Sequence, residues 1–216
     1  MYHYIENEEL IKAMKNKYSN IIGQLVKTIN DDIYLEVKYS LIGSGKRNLI
    51  TQNGNNPVDL DYNLTITAWN SEKIDILDGQ SVKEYIRNCF NLVLRKHNMK
   101  DCNDSKSSLT TKTEDLTGFD IKASIDLCII FEDEENYHRL IHKKTGDTSK
   151  DEWVWNQGRD FSIVKERELW IKENNLWNKV RETYLRKKNM YLTRGDKKHP
   201  SYVCYIETIN EVYNNN

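Results

Sequence analysis

The chain has 216 residues, of which 38% are apolar and 30% charged, with thirteen Tyr and five Trp. That length is enough for one ordinary domain, or a core carrying a small helical section, and large aromatics supply the buried area that disordered chains lack. The formal net charge of −1 excludes a general basic footprint for nucleic acid, and no apolar run is long enough to span a membrane.

Apolar positions at Leu10, Ile11, Met14, Ile21, Ile22, Leu25, Val26 and Ile29 have helical spacing and predict a helix over 8–29. A strand over 33–42, rich in Ile, Tyr, Val and Leu, stops at Gly43-Ser44-Gly45. The polar stretch Gln52 to Pro57 leads into a second strand over 58–67. Ser81 is a suitable N-cap for a helix running to Asn98. A short strand is expected at 109–113. A strong one follows at 121–131, where Ile121, Ala123, Ile125, Leu127 and Ile129 alternate with Lys122, Ser124, Asp126 and Cys128. Weaker strands near 137–143 and 152–156 flank a Gly146 turn. The remainder reads as helical. One long helix is expected over 161–189, with Trp170, Trp177 and Tyr184 at seven-residue steps, and a last helix over 201–213. This order predicts an α+β fold with a mixed, mainly antiparallel sheet and a C-terminal helical section. The predicted division is a core over 1–157 and helices over 158–216.

Three features carry chemistry. The first is the turn Gly43-Ser44-Gly45-Lys46-Arg47 after a strand. Glycine lets backbone approach a ligand closely, and N–H groups at such a turn bind phosphate. Ser44 adds a hydroxyl, and Lys46 and Arg47 add positive charge. The second is Asp59-Leu60-Asp61. Strand side chains alternate, so the two carboxylates share a face and repel each other. A cation between them removes that penalty, and magnesium suits carboxylate and phosphate oxygens. The third is Asp126, a single carboxylate inside an apolar strand, which is costly unless paired or metal-bound. Lys122 and Ser124 share its face, so a surface-facing position on a half-exposed sheet is the plain alternative.

A strand ending in Gly43-Ser44, a strand with Asp59-x-Asp61 and a later strand with Asp126 together resemble the polymerase-β-type nucleotidyltransferase superfamily, in the family's order. The connection after the Gly-Ser pair is longer and more polar than in many members. The resemblance implies a metal-dependent enzyme that transfers a nucleoside monophosphate from a nucleoside triphosphate, such as ATP, to a hydroxyl and releases pyrophosphate. It implies Asp59, Asp61 and Asp126 as catalytic residues and ligands for Mg2+ or Mn2+, and Gly43, Ser44, Lys46 and Arg47 as the nucleotide-binding group. The acceptor is left open among a small molecule, a protein and an RNA. The alternative is a non-catalytic nucleotide-binding regulator, or a toxin–antitoxin component, on the same fold. Trp153, Trp155 and Tyr202 are candidates for stacking a base, with packing as the plain alternative. The start Met1-Tyr2-His3-Tyr4 has no signal-peptide pattern, and Cys89, Cys102, Cys128 and Cys204 form no metal-binding pair. A cytoplasmic location and no membrane partner are therefore expected.

Overall fold

A computed structural model describes every residue except 134, 135, 159, 160 and 197. In chain order the elements are β1 (Tyr2–Tyr4), α1 (Glu8–Asn30), β2 (Leu35–Leu41), α2 (Gly43–Arg47), β3 (Thr51–Asn53), β4 (Val58–Trp69), α3 (Gly79–Lys96) and β5 (Asn103–Asp104). They continue with β6 (Leu109–Thr110), β7 (Glu114–Asp115), β8 (Lys122–Glu132), β9 (Tyr137–Lys143), β10 (Glu152–Gln157), α4 (Ser162–Glu173), α5 (Trp177–Thr193) and α6 (Ser201–Asn214). The chain divides into two compact units. One holds Asn7–Asn48 and Pro57–Gly158, and the other holds Met1–Glu6, Leu49–Asn56 and Arg159–Asn216.

The first unit is α+β. Its sheet runs in the order β10-β9-β8-β4-β2, with β6 and β7 also paired to β8. Only the β4–β8 pair is parallel among the described strands. A parallel pair needs a long crossover, and α3 with β5–β7 supplies it. One face of the sheet is apolar: Leu60, Tyr62 and Leu64 of β4 are fully buried, as are Ile125 and Leu127 of β8. Helices α1 and α3 bury complementary stripes, Met14, Tyr18, Ile21, Ile22, Leu25 and Ile29 on one and Val82, Ile86, Phe90, Val93 and Leu94 on the other. Asn7 caps α1 by accepting from the Leu10 N–H at 3.0 Å. The cap of α3 is Asp78, which accepts from the Ser81 N–H at 3.1 Å, so the expected Ser81 cap lies inside the helix. Asp78 wins because a charged carboxylate is a stronger acceptor for exposed N–H groups than a hydroxyl.

The second unit is a helical cluster with a two-stranded ribbon. Strands β1 and β3 pair antiparallel, which the sequence does not announce because each has only three residues. Leu49, Ile171, Val180, Tyr184, Cys204, Ile209 and Val212 form its core. The single helix expected over 161–189 is two helices. Asn175 sits in the left-handed region at φ 57°, and the chain turns at Asn174-Asn175-Leu176 before α5 begins. Asparagine tolerates that conformation and ends helices, which outweighs the heptad-like Trp170, Trp177, Tyr184 spacing. No helix among the described residues is long and apolar enough to cross a membrane.

Candidate active site

The carboxylates lie on the sheet face opposite the apolar one. Along β4 the side chains alternate, so Leu60 and Tyr62 enter the core while Asp59, Asp61 and Asn63 point the other way. Because β4 and β8 are parallel and in register, Asp61 lies directly beside Asp126, and Asp59 beside Ser124. The Ser124 hydroxyl donates to Asp59, which confirms the shared face. Asp126 accepts from Thr110 at 2.5 Å and more weakly from Ser108 at 3.4 Å. Asp59 is exposed, whereas Asp61 and Asp126 are half-buried.

Three acids this close cannot all ionise cheaply. Burial, then the charges of Asp126 and Asp59, push Asp61 up to about 6, against a smaller opposing pull from Arg139. Burial also raises Asp126, opposed first by its bond from Thr110. Lys122 does not pair with Asp126 among the described residues; it lies on the exposed end of β8, in register with Asp115.

The glycine turn is built against this cluster. The Ile42 N–H donates to the Asp61 carbonyl at 2.9 Å, tying the end of β2 to β4. Gly43 has φ +61°, and a Cβ there would run into the Asp61 carboxylate, so only glycine fits. The opening turn of α2 follows, whose first N–H groups have no intrahelical partner. Ser44 is half-buried in that turn and Lys46 is exposed. Arg47 folds back, donating to the Gly43 carbonyl at 3.1 Å.

Arg139 was not evident in the sequence. It sits on β9 in register with Ile130, and its charge reaches Asp61, Asp126 and Cys128. Among the described residues its buried Nε has no hydrogen-bond partner, and neither has Oδ1 of Asn63 on the same face. Two orphaned polar atoms beside three carboxylates are polar valences that a polar ligand or water would satisfy. Trp153 and Trp155, considered for stacking, are engaged elsewhere: Trp153 stacks on His142 and the Trp155 indole donates to the Ile76 carbonyl at 2.8 Å.

The acid set fits a hard divalent cation in kind, with anionic oxygens and mutual repulsion. Among the described residues no three His, Cys, Asp or Glu side chains converge as a ready cage. Asp59 and Asp126 each accept from a hydroxyl, that of Ser124 and that of Thr110.

Neither a family model nor a curated protein matches the chain in sequence. Solved structures match in fold. The chain resembles the Escherichia coli MS115-1 CdnC of a CdnC:HORMA-deltaN complex at TM-score 0.56 and 10% identity, covering 97% of this chain and 61% of that one. It resembles the Elizabethkingia meningoseptica CdnE cyclic dinucleotide synthase, solved with GTP and Apcpp, at TM-score 0.53 and 12% identity, covering 91% and 69%. Of the Vibrio cholerae DncV cyclic AMP-GMP synthase it spans only 38%, at TM-score 0.47. The chain therefore shares the fold of the CdnE cyclic dinucleotide synthase and of CdnC.

Proposed function

We propose that the protein is a metal-dependent nucleotidyltransferase that moves a nucleoside monophosphate from a triphosphate to a hydroxyl. The observation that carries the reading is the parallel register that sets Asp61 beside Asp126, with Asp59 on the same face and the Gly43 turn pressed against Asp61. Asp59, Asp61 and Asp126 would hold Mg2+ or Mn2+, which supplies charge neutralisation on the phosphates and acidifies an acceptor hydroxyl. Gly43 and Ser44 would seat the phosphates by backbone N–H and hydroxyl, with Lys46 and Arg47 adding charge. Asp126 would take the acceptor proton at a carboxylate oxygen. Arg139, beside both Asp61 and Asp126, would balance the negative charge gathered there. Positioning and electrostatics supply most of the rate.

The fold likeness supports a second nucleotide as the acceptor, since the CdnE neighbour is a cyclic dinucleotide synthase. The test is incubation with each pair of the four triphosphates and Mg2+ or Mn2+, reading pyrophosphate release and the linked product. Release in no combination, by a protein that melts higher with triphosphate, would replace this reading with its rival. That rival is a nucleotide-binding regulator without turnover. It is favoured by the lack, among the described residues, of three acids converging as a ready metal site.

A further inference from the structure

An open cavity of about 370 Å³ lies in the sheet-bearing unit, bordered by Lys83, Arg87, Asp104, His142, Lys144 and Trp153. It is not the carboxylate site. Arg139 faces the acids, and side chains on β9 alternate, so His142 projects from the opposite face. Trp153, in register with His142 on β10, shares that face, where α3 packs.

The acids around the cavity are already occupied. Asp104 meets the buried Lys83 ammonium at 2.6 Å and His142 Nδ1 at 2.8 Å. Asp151 meets His142 Nε2 at 2.9 Å and accepts from the Thr145 N–H at 2.8 Å. The exposed Glu84 accepts from Gln80 at 3.0 Å. Two cations lack an ion-pair partner among the described residues, the Arg87 charge acting at longer range on Asp101, which Arg95 already holds. Lys144 donates to the Asp104 backbone carbonyl, and neither Lys144 nor Arg87 forms an ion pair among the described residues. Among the described residues the buried Arg87 Nε has no hydrogen-bond partner, and Asp104 Oδ1 has only its ion-pair contact with Lys83. A guanidinium bordering the cavity is matched best by a planar oxyanion. Trp153 stacks on His142 with centroids 4.1 Å apart and an interplanar angle of 20°, so a rigid two-ring stack stands at the same cavity. The volume falls within the range of small-molecule sites.

We propose that this cavity binds a small ligand with an oxyanion group on a flat ring, the oxyanion held by Arg87 and Lys144 and the ring laid against Trp153. The site is independent of the nucleotidyltransferase reading. It does not use any residue of the carboxylate face. Carboxylate and phosphate share the required chemistry, and the probes separate them.

The experiment follows the Trp153 indole N–H by NMR, assigned with Trp153→Phe, during titration with phenyl phosphate, benzoate and inorganic phosphate. Either aromatic anion, or both, should shift the signal saturably and at least tenfold more tightly than inorganic phosphate. The tighter of the two names the anion. The double variant Arg87→Gln/Lys144→Gln should weaken the response at least tenfold with an unchanged circular-dichroism spectrum, since neither cation holds a carboxylate in the fold. Lys46→Ala should leave the titration as it is. The proposal is overturned by any of three results: no saturation with either aromatic anion, unchanged binding in the double variant, or inorganic phosphate binding as tightly as the tighter aromatic anion. Should the double variant unfold, Lys144→Gln alone, on an exposed side chain, serves in its place with the same expected loss.

Discussion

Asp61 and Asp126 are register partners on adjacent parallel strands, and their carboxyl groups face the same side of the sheet. Burial, helped by the Asp126 charge, raises the Asp61 carboxyl from 3.8 to about 6, while the acid that helps raise Asp126 is Asp59.

The first prediction concerns pH. The folded Asp61 holds its proton more tightly than the unfolded one, so ionisation penalises the fold. The penalty is complete above about 6 and vanishes as pH falls towards 3.8. From that difference it amounts to about 3 kcal/mol as an order of magnitude. In the metal-free protein, Asp61→Asn should therefore melt several degrees higher than wild type at pH 7.5, and the gap should close on acidification through that window. Melting curves between pH 4 and 8 check this, and a gap that is constant with pH would remove the charge argument.

Transfer activity should move the opposite way. An amide offers only a neutral oxygen to a cation, so Asp61→Asn should lose at least a hundredfold in kcat while remaining folded. Undiminished turnover by the variant would take Asp61 out of the mechanism.

Added Mg2+ should raise the melting temperature of wild type at pH 7.5, reversibly with EDTA, because a cation relieves the repulsion that ionised Asp61 creates. The double variant Asp59→Asn/Asp61→Asn should show no such rise. A matching shift in both proteins would place the cation elsewhere.

Gly43→Ala combines an unfavourable φ of +61° with a Cβ aimed at the Asp61 carboxylate. The backbone part alone costs about 1–2 kcal/mol. The steric part should also displace Asp61, so triphosphate binding by calorimetry should weaken at least tenfold. Gly54→Ala has the same sign of φ, at 55°, but nothing within 4 Å of its Cβ. It should destabilise without changing nucleotide affinity, which separates strain from site damage.

Arg139→Met should raise the Asp61 carboxyl above about 6, since the guanidinium is the charge opposing its two acidic neighbours. Carboxyl-carbon NMR of Asp61 reads this directly. An unmoved titration would show that Arg139 acts on the ligand alone.

A chain ending at Gln157 should be poorly soluble. Leu49 is 1% exposed within a cluster otherwise made of residues from the last three helices, and Tyr4 donates to the Arg181 carbonyl at 2.8 Å. Removing the helices leaves that apolar surface uncovered. A soluble, monomeric truncation by gel filtration would refute this.

The carboxylate strands were legible because period-two alternation in 58–67 and 121–131 is strong and names its outward residues. The Gly43 turn was legible for a similar reason, as a glycine pair punctuating a β-rich run. Arg139 was not, since Tyr137–Lys143 has polar and apolar residues on both faces and its charge matters only through a neighbour in space. The hydroxyls of Thr110 and Ser124 were likewise invisible as partners, because serine and threonine occur everywhere and only register brings them to an acid. The break at Asn174-Asn175 was missed because an aromatic heptad spacing outshone a two-residue turn signal.

The parallel pairing of β4 with β8 also fixes when the acids meet. Asp59 and its partner Ser124 are 65 positions apart, with α3 and three short strands between them. The β2–β4 hairpin can form early from nearby chain, but β8 docks only after that long loop is closed, and non-local pairing of this kind is slow. Asp126 thus arrives last, at a strand that already displays two negative charges. Electrostatic repulsion opposes the docking of β8 on β4 and spares the local pairings, so salt should accelerate that slow phase of refolding while leaving the first collapse unaltered.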